Sequence, residues 1–479
     1  MTIETMIKRI QNIMRQDAGV DGDAQRISQL VWMLFLKIYD AKEEFWEFYD
    51  ENYESIIPED CRWRNWAIDE KDGEALTGED LLNFVNNTVF PSLKEIQVDQ
   101  FTLKRKAIVK YVFEDANNYM KNGTLLRQVI NVLNEVDFTE NEERHAFNDI
   151  YETILKDLQS AGSAGEFYTP RAITTFFADI LKPQINEKVA DYASGTGGFL
   201  ISALDYMKDQ VKTPADKEML QQNIFGIEKK PLPYLLAITN MILHDIDAPN
   251  ILHDNSLSKN VRDFKEEDKA DVILMNPPYG STEEDSIQMN FPVNLQSSET
   301  ADMFMSLILY RLKQNGRAAV VLPNSFLFGD DRGKINIKRK LLKDCNLHTI
   351  VRLPEGVFAP YTPIATNLLF FDKTEATKEV WYFEHPLPEG YKRYSKTRPL
   401  KANEFEVEKA WWNNRVENEN AWKVSTEEIE KRNFNLDIRN PNKKDNSHEN
   451  QSVQELIGGL IQSQTNVMEI LQSLGKELE

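Results

Sequence analysis

From about residue 185 to 372 the chain repeats one pattern: a short run of consecutive apolar residues, then a longer stretch with helical spacing. The runs fall at 188–191, 223–228, 251–252, 271–275, 318–322, 348–351 and 367–371. A strand that is apolar at nearly every position has to be covered on both faces. Strands separated by helices join most simply in parallel. The expectation is therefore an α/β region with a doubly wound, Rossmann-like sheet of about seven strands. Sheets of this kind bind ligands outside the carboxyl ends of their strands, so the residues that close each run carry the functional question.

At 479 residues the chain is too long for one ordinary core. Residues 1–155 read as a helical N-terminal domain, because Ile27, Leu30, Val31, Leu34, Phe35, Ile38 and Tyr39 recur at three and four residues. Glycines at 162 and 165 mark the change of character, and the α/β domain is placed at 156–375. Residues 376–450, with Trp381, Trp411, Trp412 and Trp422, read as an extension packed on that domain. In 451–479, Val453, Ile457, Leu460, Gln464, Val467, Leu471, Leu474 and Leu478 alternate four- and three-residue steps. That pattern predicts a C-terminal helical tail, docked either on its own domain or on another subunit.

Acidic residues outnumber basic ones 77 to 56, a net charge of −21. More than half of the surplus lies in the first 150 residues. Such a surface repels phosphate backbones, so contact with nucleic acid is expected to be local or to rely on a basic partner. Arg332, Lys334, Lys338, Arg339, Lys340 and Lys343 form the one basic stretch, which is either a solvated helix face or a phosphate contact. Cys61 and Cys345 lie far apart and read as reduced thiols. The longest apolar run, 30–36, is too short to span a bilayer, and no signal peptide is apparent, so a cytoplasmic chain without a membrane segment is expected. The six histidines show no zinc-ligand spacing, so no metal is assigned. Residues 329–335 imitate a phosphate-binding loop but are one residue short and lack its hydroxyl.

Four strand ends carry chemistry. Asp191, Ser194, Gly195, Thr196 and Gly197 close the first strand and open a helix, where glycines admit a ligand close to backbone amides. Position 200 is not glycine, so the dinucleotide pattern fails, and a tight turn with no ligand would look the same. Glu228 ends the second strand, where a carboxylate can accept from a ribose diol or simply be solvated. Asp254 follows the third strand, where the adenine ring of such a cofactor would lie.

Asn276, Pro277, Pro278 and Tyr279 end the fourth run and are the strongest signal. Two prolines stiffen the turn and remove two backbone donors. The Asn276 amide oxygen and the Pro277 carbonyl can accept both hydrogens of an exocyclic amine. Such an amine is a poor nucleophile while its lone pair is delocalised into the ring. Two acceptors held out of the ring plane favour the pyramidal form and free the lone pair for attack on a methyl group. Tyr279 offers a flat face to the target base, which has to leave the duplex.

With these motifs the chain resembles the S-adenosylmethionine-dependent amino-methyltransferases. More closely, it resembles the modification (M) subunits of type I restriction–modification systems, which are adenine-N6 DNA methyltransferases. The likeness extends through residues 23–27, 34–37, 165–171, 316–323, 352–358 and 433–441, most of the chain. It implies that S-adenosylmethionine contacts Glu166, Phe167, Tyr168, Thr169, Pro170, Arg171, Ser194, Gly195, Thr196, Gly197 and Glu228, to which the reading of the strand ends adds Asp191 and Asp254. It implies catalysis at Asn276, Pro277, Pro278 and Tyr279. Tyr192 and Ser194 depart from the Pro and Cys common in that family.

The resemblance also implies two M subunits with one specificity (S) subunit, joined by a restriction (R) subunit for cleavage. No basic recognition module of domain size is present, which agrees with sequence reading by another chain. The four catalytic residues alone also suit protein-glutamine or RNA-base methyltransferases, and a self-sufficient DNA adenine methyltransferase stays open. If the tail packs on the S subunit, deleting residues 450–479 abolishes co-purification with it. Intact assembly after the deletion sinks that role.

Overall fold

A computed structural model of the chain describes residues 3–69, 73, 75–99, 102–138, 168–359, 361–362, 364–442 and Gln464. The seven apolar runs become β1 (Val189–Asp191), β2 (Ile224–Glu228), β3 (Ile251–His253), β4 (Ala270–Met275), β5 (Leu312–Pro323), β6 (Asn346–Arg352) and β7 (Thr366–Asp372). Two further strands follow, β8 (Glu379–Glu384) and β9 (Ala421–Ser425), so the sheet has nine strands rather than seven. Their order is β3-β2-β1-β4-β5-β7-β6-β8-β9. The sheet is not wholly parallel either. β7 runs antiparallel to both β5 and β6, because the segment after β6 turns back at the same edge instead of crossing over. β8 pairs parallel with β6 and β9 antiparallel with β8, so part of the 376–450 segment continues the sheet.

The alternation of side chains across the strands splits the core in two. Val272, Leu274, Ala319, Val321, Leu368 and Phe370 face one side, with α-helical residues such as Ile173, Phe177, Leu200 and Ile238. Ile273, Met275, Val320, Leu322, Leu369 and Phe371 face the other, with Leu307, Ile308, Ile337 and Leu341. Burial on both sides explains why these runs contain almost no polar residue.

The N-terminal helices α1 (Ile3–Met14) and α2 (Gly22–Tyr49) belong to the first of these cores. On that face lie α3 (Arg171–Leu181), α4 (Gly198–Met207) and α5 (Pro231–Leu243), with α2 packed on α5. The Lys42 ammonium reaches Asp245 at 2.8 Å and Asp247 at 3.5 Å just beyond α5. On the opposite side, α6 (Asn324–Phe328) and α7 (Arg332–Asp344) follow β5. No helix among the described residues is long and apolar enough to cross a membrane.

α3 sets where the segment before the sheet meets the carboxyl edge, and Arg317 of β5 locks its far end. The Arg317 Nε donates to the Leu181 carbonyl at 2.6 Å and Nη2 to that of Lys182 at 3.0 Å. The same guanidinium pairs with Glu187 at 2.7 Å. Charge-assisted bonds of this kind contribute about 1.5–3 kcal/mol each when lost, less when shared on one partly exposed group. Arg317→Met is therefore expected to cost about 2 kcal/mol in urea unfolding; an unchanged midpoint would show that α3 is held without it.

Candidate active site at the carboxyl edge of the sheet

The loop from β1 to α4 is shaped by two left-handed glycines, Gly195 (φ 54°) and Gly197 (φ 81°). Nothing lies within 4 Å of where a Gly195 side chain would start, so the backbone there faces open space. The Thr196 carbonyl accepts from the Nδ2 of Asn240, a fully buried α5 residue, at 3.1 Å. Sequence reading missed Asn240, since nothing in an apolar helix pattern marks which polar residue supports a loop.

Ser194 is bonded within the protein. Its hydroxyl and its backbone N–H both donate to the Ile227 carbonyl, at 2.9 and 3.0 Å, and its own carbonyl accepts from Gly197. Ser194 is thus occupied in tying the loop to β2 and presents no spare donor to a ligand. Gly226 makes this fit, because a side chain there would start 2.7 Å from the Ser194 hydroxyl. Tyr192 is likewise turned into the second core, under the Arg311 guanidinium at 4.1 Å.

Glu228 stands across from the glycine loop. Its two carboxylate oxygens accept from the backbone N–H groups of Gly195 and Lys230, each at 2.8 Å. Those bonds fix the direction of the carboxylate. The Asp254 backbone N–H donates to the Glu228 carbonyl at 3.0 Å, and the Asp254 side chain is exposed beside it. Asp191 is 1% exposed. Burial, with the Glu228 charge adding to it and the Ala193 N–H opposing, pushes its carboxyl up to about 8.

At the end of β4, the Asn276 Nδ2 donates to the Thr169 hydroxyl at 3.0 Å. The Asn276 Oδ1 is buried and has no partner among the described residues. Pro277 is buried, and Tyr279 is 7% exposed within the second core near Phe291 and Leu295. A base therefore cannot lie flat on Tyr279 in this conformation without movement of its packing. Burial also raises the Tyr279 phenol above its ordinary value.

Two hydrogen bonds join three sequence motifs. Thr169 meets Asn276 across 107 residues, and the Arg171 Nη1 donates to the Gly198 carbonyl at 2.8 Å. Pro170 precedes the first turn of α3, and Tyr168 packs against the first core. Glu166 and Phe167 lie outside the described residues. The edge thus brings together a glycine loop with free space, a fixed carboxylate, and an oriented amide oxygen.

Comparison with known proteins bears directly on that arrangement. The family model of N-6 DNA methylases matches residues 142–450, and that of the HsdM N-terminal domain matches 3–133. The methylase subunit of the type I restriction enzyme EcoEI from Escherichia coli is 55% identical over 450 residues, covering 92% of this chain and 91% of the relative. The chain belongs to the N-6 DNA methylase family. Within it, the chain falls among the methylase subunits of type I restriction enzymes, whose chemistry is methylation of adenine N6 in DNA. A modification subunit assigned to a type I restriction enzyme of Vibrio vulnificus YJ016 superposes with a TM-score of 0.82 at 42% identity, covering 92% of this chain and 97% of that one. A chain from a study of assembly and conformational transition in a type I restriction–modification system gives 0.81 at 35%, covering 100% and 98%.

Two of the six basic residues in the stretch at 332–343 of this methylase subunit are structural. Lys334 is buried and reaches Glu299 at 2.9 Å and Asp302 at 3.5 Å. Lys338 is fully buried and donates to the carbonyls of Leu327 and Gly329 at 3.0 and 2.7 Å. Arg332, Arg339 and Lys343 are exposed.

The Asp191 shift has a stability consequence with a definite sign. An unfolded aspartate titrates near ~3.9. Between there and about 8 the folded chain keeps a proton that the unfolded chain has lost, so this group's contribution to stability falls as pH rises through that window. Without ligand, the stability gap in favour of Asp191→Asn is expected to widen from about pH 5 to about pH 8 in urea titrations. Parallel pH profiles for the two proteins would refute the shift.

Proposed function

We propose that this methylase subunit transfers the methyl group of S-adenosylmethionine to N6 of an adenine extruded from duplex DNA, and does so in the cytoplasm. The observation that carries the reading is the buried, unpartnered Asn276 Oδ1, since an orphaned acceptor held by its own amide nitrogen is costly unless a substrate donor fills it. The residues present also suit the cofactor: open backbone at Gly195, a fixed Glu228 carboxylate for the ribose diol, and Asp254 beside it. Bound there, the cofactor supplies an electrophilic methyl group on a sulfonium.

The chain's own residues do the rest. Asn276 Oδ1 and the Pro277 carbonyl accept the two N6 hydrogens and hold the amine pyramidal, with its lone pair directed at the methyl carbon. Thr169 keeps Asn276 in the rotamer that presents oxygen rather than nitrogen. Arg171 holds the start of α4 against α3, which keeps the glycine loop and the catalytic turn in register. Pro278 stiffens the turn, and Tyr279 supports the base once its packing relaxes. The N6 proton leaves to water, because an amide oxygen is too weak a base to retain it.

The domain roles follow the same reading: helical residues 1–155, a catalytic domain at 156–375, an extension at 376–450, and a tail at 451–479 for subunit association. Recognition of the DNA sequence is assigned to a specificity subunit shared by two methylase subunits, and cleavage to a restriction subunit. An acidic chain whose basic helix spends two lysines internally gives independent support for borrowed DNA affinity.

The test is label transfer from S-adenosylmethionine to duplex DNA by the assembly with its specificity subunit. Asn276→Ala should leave cofactor binding by calorimetry nearly intact and lose about 2–4 kcal/mol of transition-state stabilisation, a rate loss of about thirty- to a thousandfold. Wild-type turnover in that variant would remove Asn276 from the mechanism.

A further inference from the structure

Next to the catalytic turn lies a polar cluster that the proposed mechanism leaves unused. β4 and β5 are parallel neighbours, with Met275 opposite Val320, and β5 runs on to Pro323 before Asn324 opens α6. Asn324 therefore sits one strand over from Asn276 and a few residues further out, roughly 10 Å away by strand geometry. Asn276 is turned toward Thr169 on the face of the first core and Asn324 toward Asn367 on the face of the second, so the two would meet one base only beyond the ends of the strands.

Asn324 is held from two directions. Its backbone N–H donates to the Ala365 carbonyl at 3.2 Å, and its Oδ1 accepts from the Asn367 Nδ2 at 2.7 Å. With the oxygen occupied, the half-buried Asn324 Nδ2 is left as an oriented donor. The support behind it is unusual for a strand interior. Asn367 is 0% and Thr366 1% exposed, and the Asn367 Oδ1 and Thr366 Oγ1 have no partner among the described residues. The next four positions of β7, Leu368, Leu369, Phe370 and Phe371, are all apolar. Unsatisfied polar groups at the ligand edge of such a strand weaken the fold, so folding alone does not account for them.

We infer that Asn324 reads the target base, donating from Nδ2 to a ring nitrogen that flanks the 6-amino group, with Asn367 as its positioning residue. This rests on the proposed adenine-N6 reaction. Asn276 and Pro277 are both acceptors, suited to the amine hydrogens. The neighbouring ring atoms of adenine, N1 and N7, are acceptors themselves and call for a donor on the protein. A base carrying a protonated ring nitrogen beside an exocyclic oxygen presents the opposite pattern and is rejected by both sets.

The experiment compares wild-type and Asn324→Ala methylase, each assembled with its specificity subunit, on duplexes whose target is adenine, 1-deazaadenine or 7-deazaadenine. On adenine the variant should be slowed about ten- to a hundredfold, with S-adenosylmethionine affinity unchanged and the melting temperature lowered, since the buried Asn367 Nδ2 loses its acceptor. On the analogue that lacks the contacted nitrogen, the variant should lose less than about threefold relative to wild type, because the partner is already gone. Coupling at 1-deazaadenine assigns N1, and coupling at 7-deazaadenine assigns N7. Equal losses on all three substrates, or no loss on adenine, overturn the inference. Asn324→Asp keeps the size and should be at least as slow as the alanine variant on adenine; wild-type rates in it also overturn the inference. Failure of the wild-type assembly to methylate adenine at all would overturn the proposed reaction instead.

Discussion

The architecture of the edge depends on keeping one amide oxygen bare. Asn276 has a donor and an acceptor on the same planar group, and a free rotation of that group would let either one satisfy itself on its neighbours. Binding its nitrogen to Thr169 removes that freedom. The cost of the unpartnered oxygen is about 1–3 kcal/mol, a sizeable share of the net stability of a single domain. Only a rigid setting sustains such a group, and both ends of the bond are rigid. Asn276 follows a six-residue strand buried along almost its whole length, with two prolines behind it. Thr169 is followed by Pro170 and the first turn of α3, whose far end is tied down by Arg317.

The cofactor side of the edge obeys a related constraint, expressed through burial rather than through an unpaired atom. Asp191 is sealed in the core, and its burial above all, with the Glu228 charge adding to it, favours the protonated form. A cationic ligand placed there would be favoured by the Glu228 carboxylate, whereas an anionic one would meet it as a like charge. The same glycine turn that opens dinucleotide sites is therefore electrostatically mismatched to a pyrophosphate here. The absence of glycine at 200 and the carboxylate at 228 point the same way, one through shape and the other through charge.

Much of this was legible in the sequence because two-sided burial leaves a plain mark. All seven apolar runs became strands, since a central strand tolerates no polar interruption. β8 and β9 escaped because they lie at the sheet margin, where Glu379, Lys423 and Ser425 are exposed and break the run. The reversal of β7 was invisible for another reason: direction is set by how the chain returns, and an apolar run reads the same either way. At the site, Asn276 and Glu228 could be read because their chemistry is carried by their own side chains. The role of Ser194 could not, because it depends on the missing side chain of Gly226, thirty-two positions on. The lysines of α7 misled in the same way: Lys334 and Lys338 look like a basic face until Asp302 and the Leu327 carbonyl are brought beneath them.

These inward-facing lysines matter for how the chain approaches its substrate. With a net charge of −21 and part of its basic helix used as internal struts, the chain carries more anions than cations that could release counterions from a phosphate backbone. Affinity for DNA and recognition of a nucleotide are thus separable problems in this molecule. The rigid edge, with acceptors at Asn276 and Pro277, is suited to judging a single base already delivered to it. It is poorly suited to finding that base in a duplex. A chain built this way gains nothing from binding DNA tightly by itself, because non-specific contact would bring adenines to the site without regard to sequence. Keeping the surface acidic makes methylation conditional on whatever basic partner supplies the duplex.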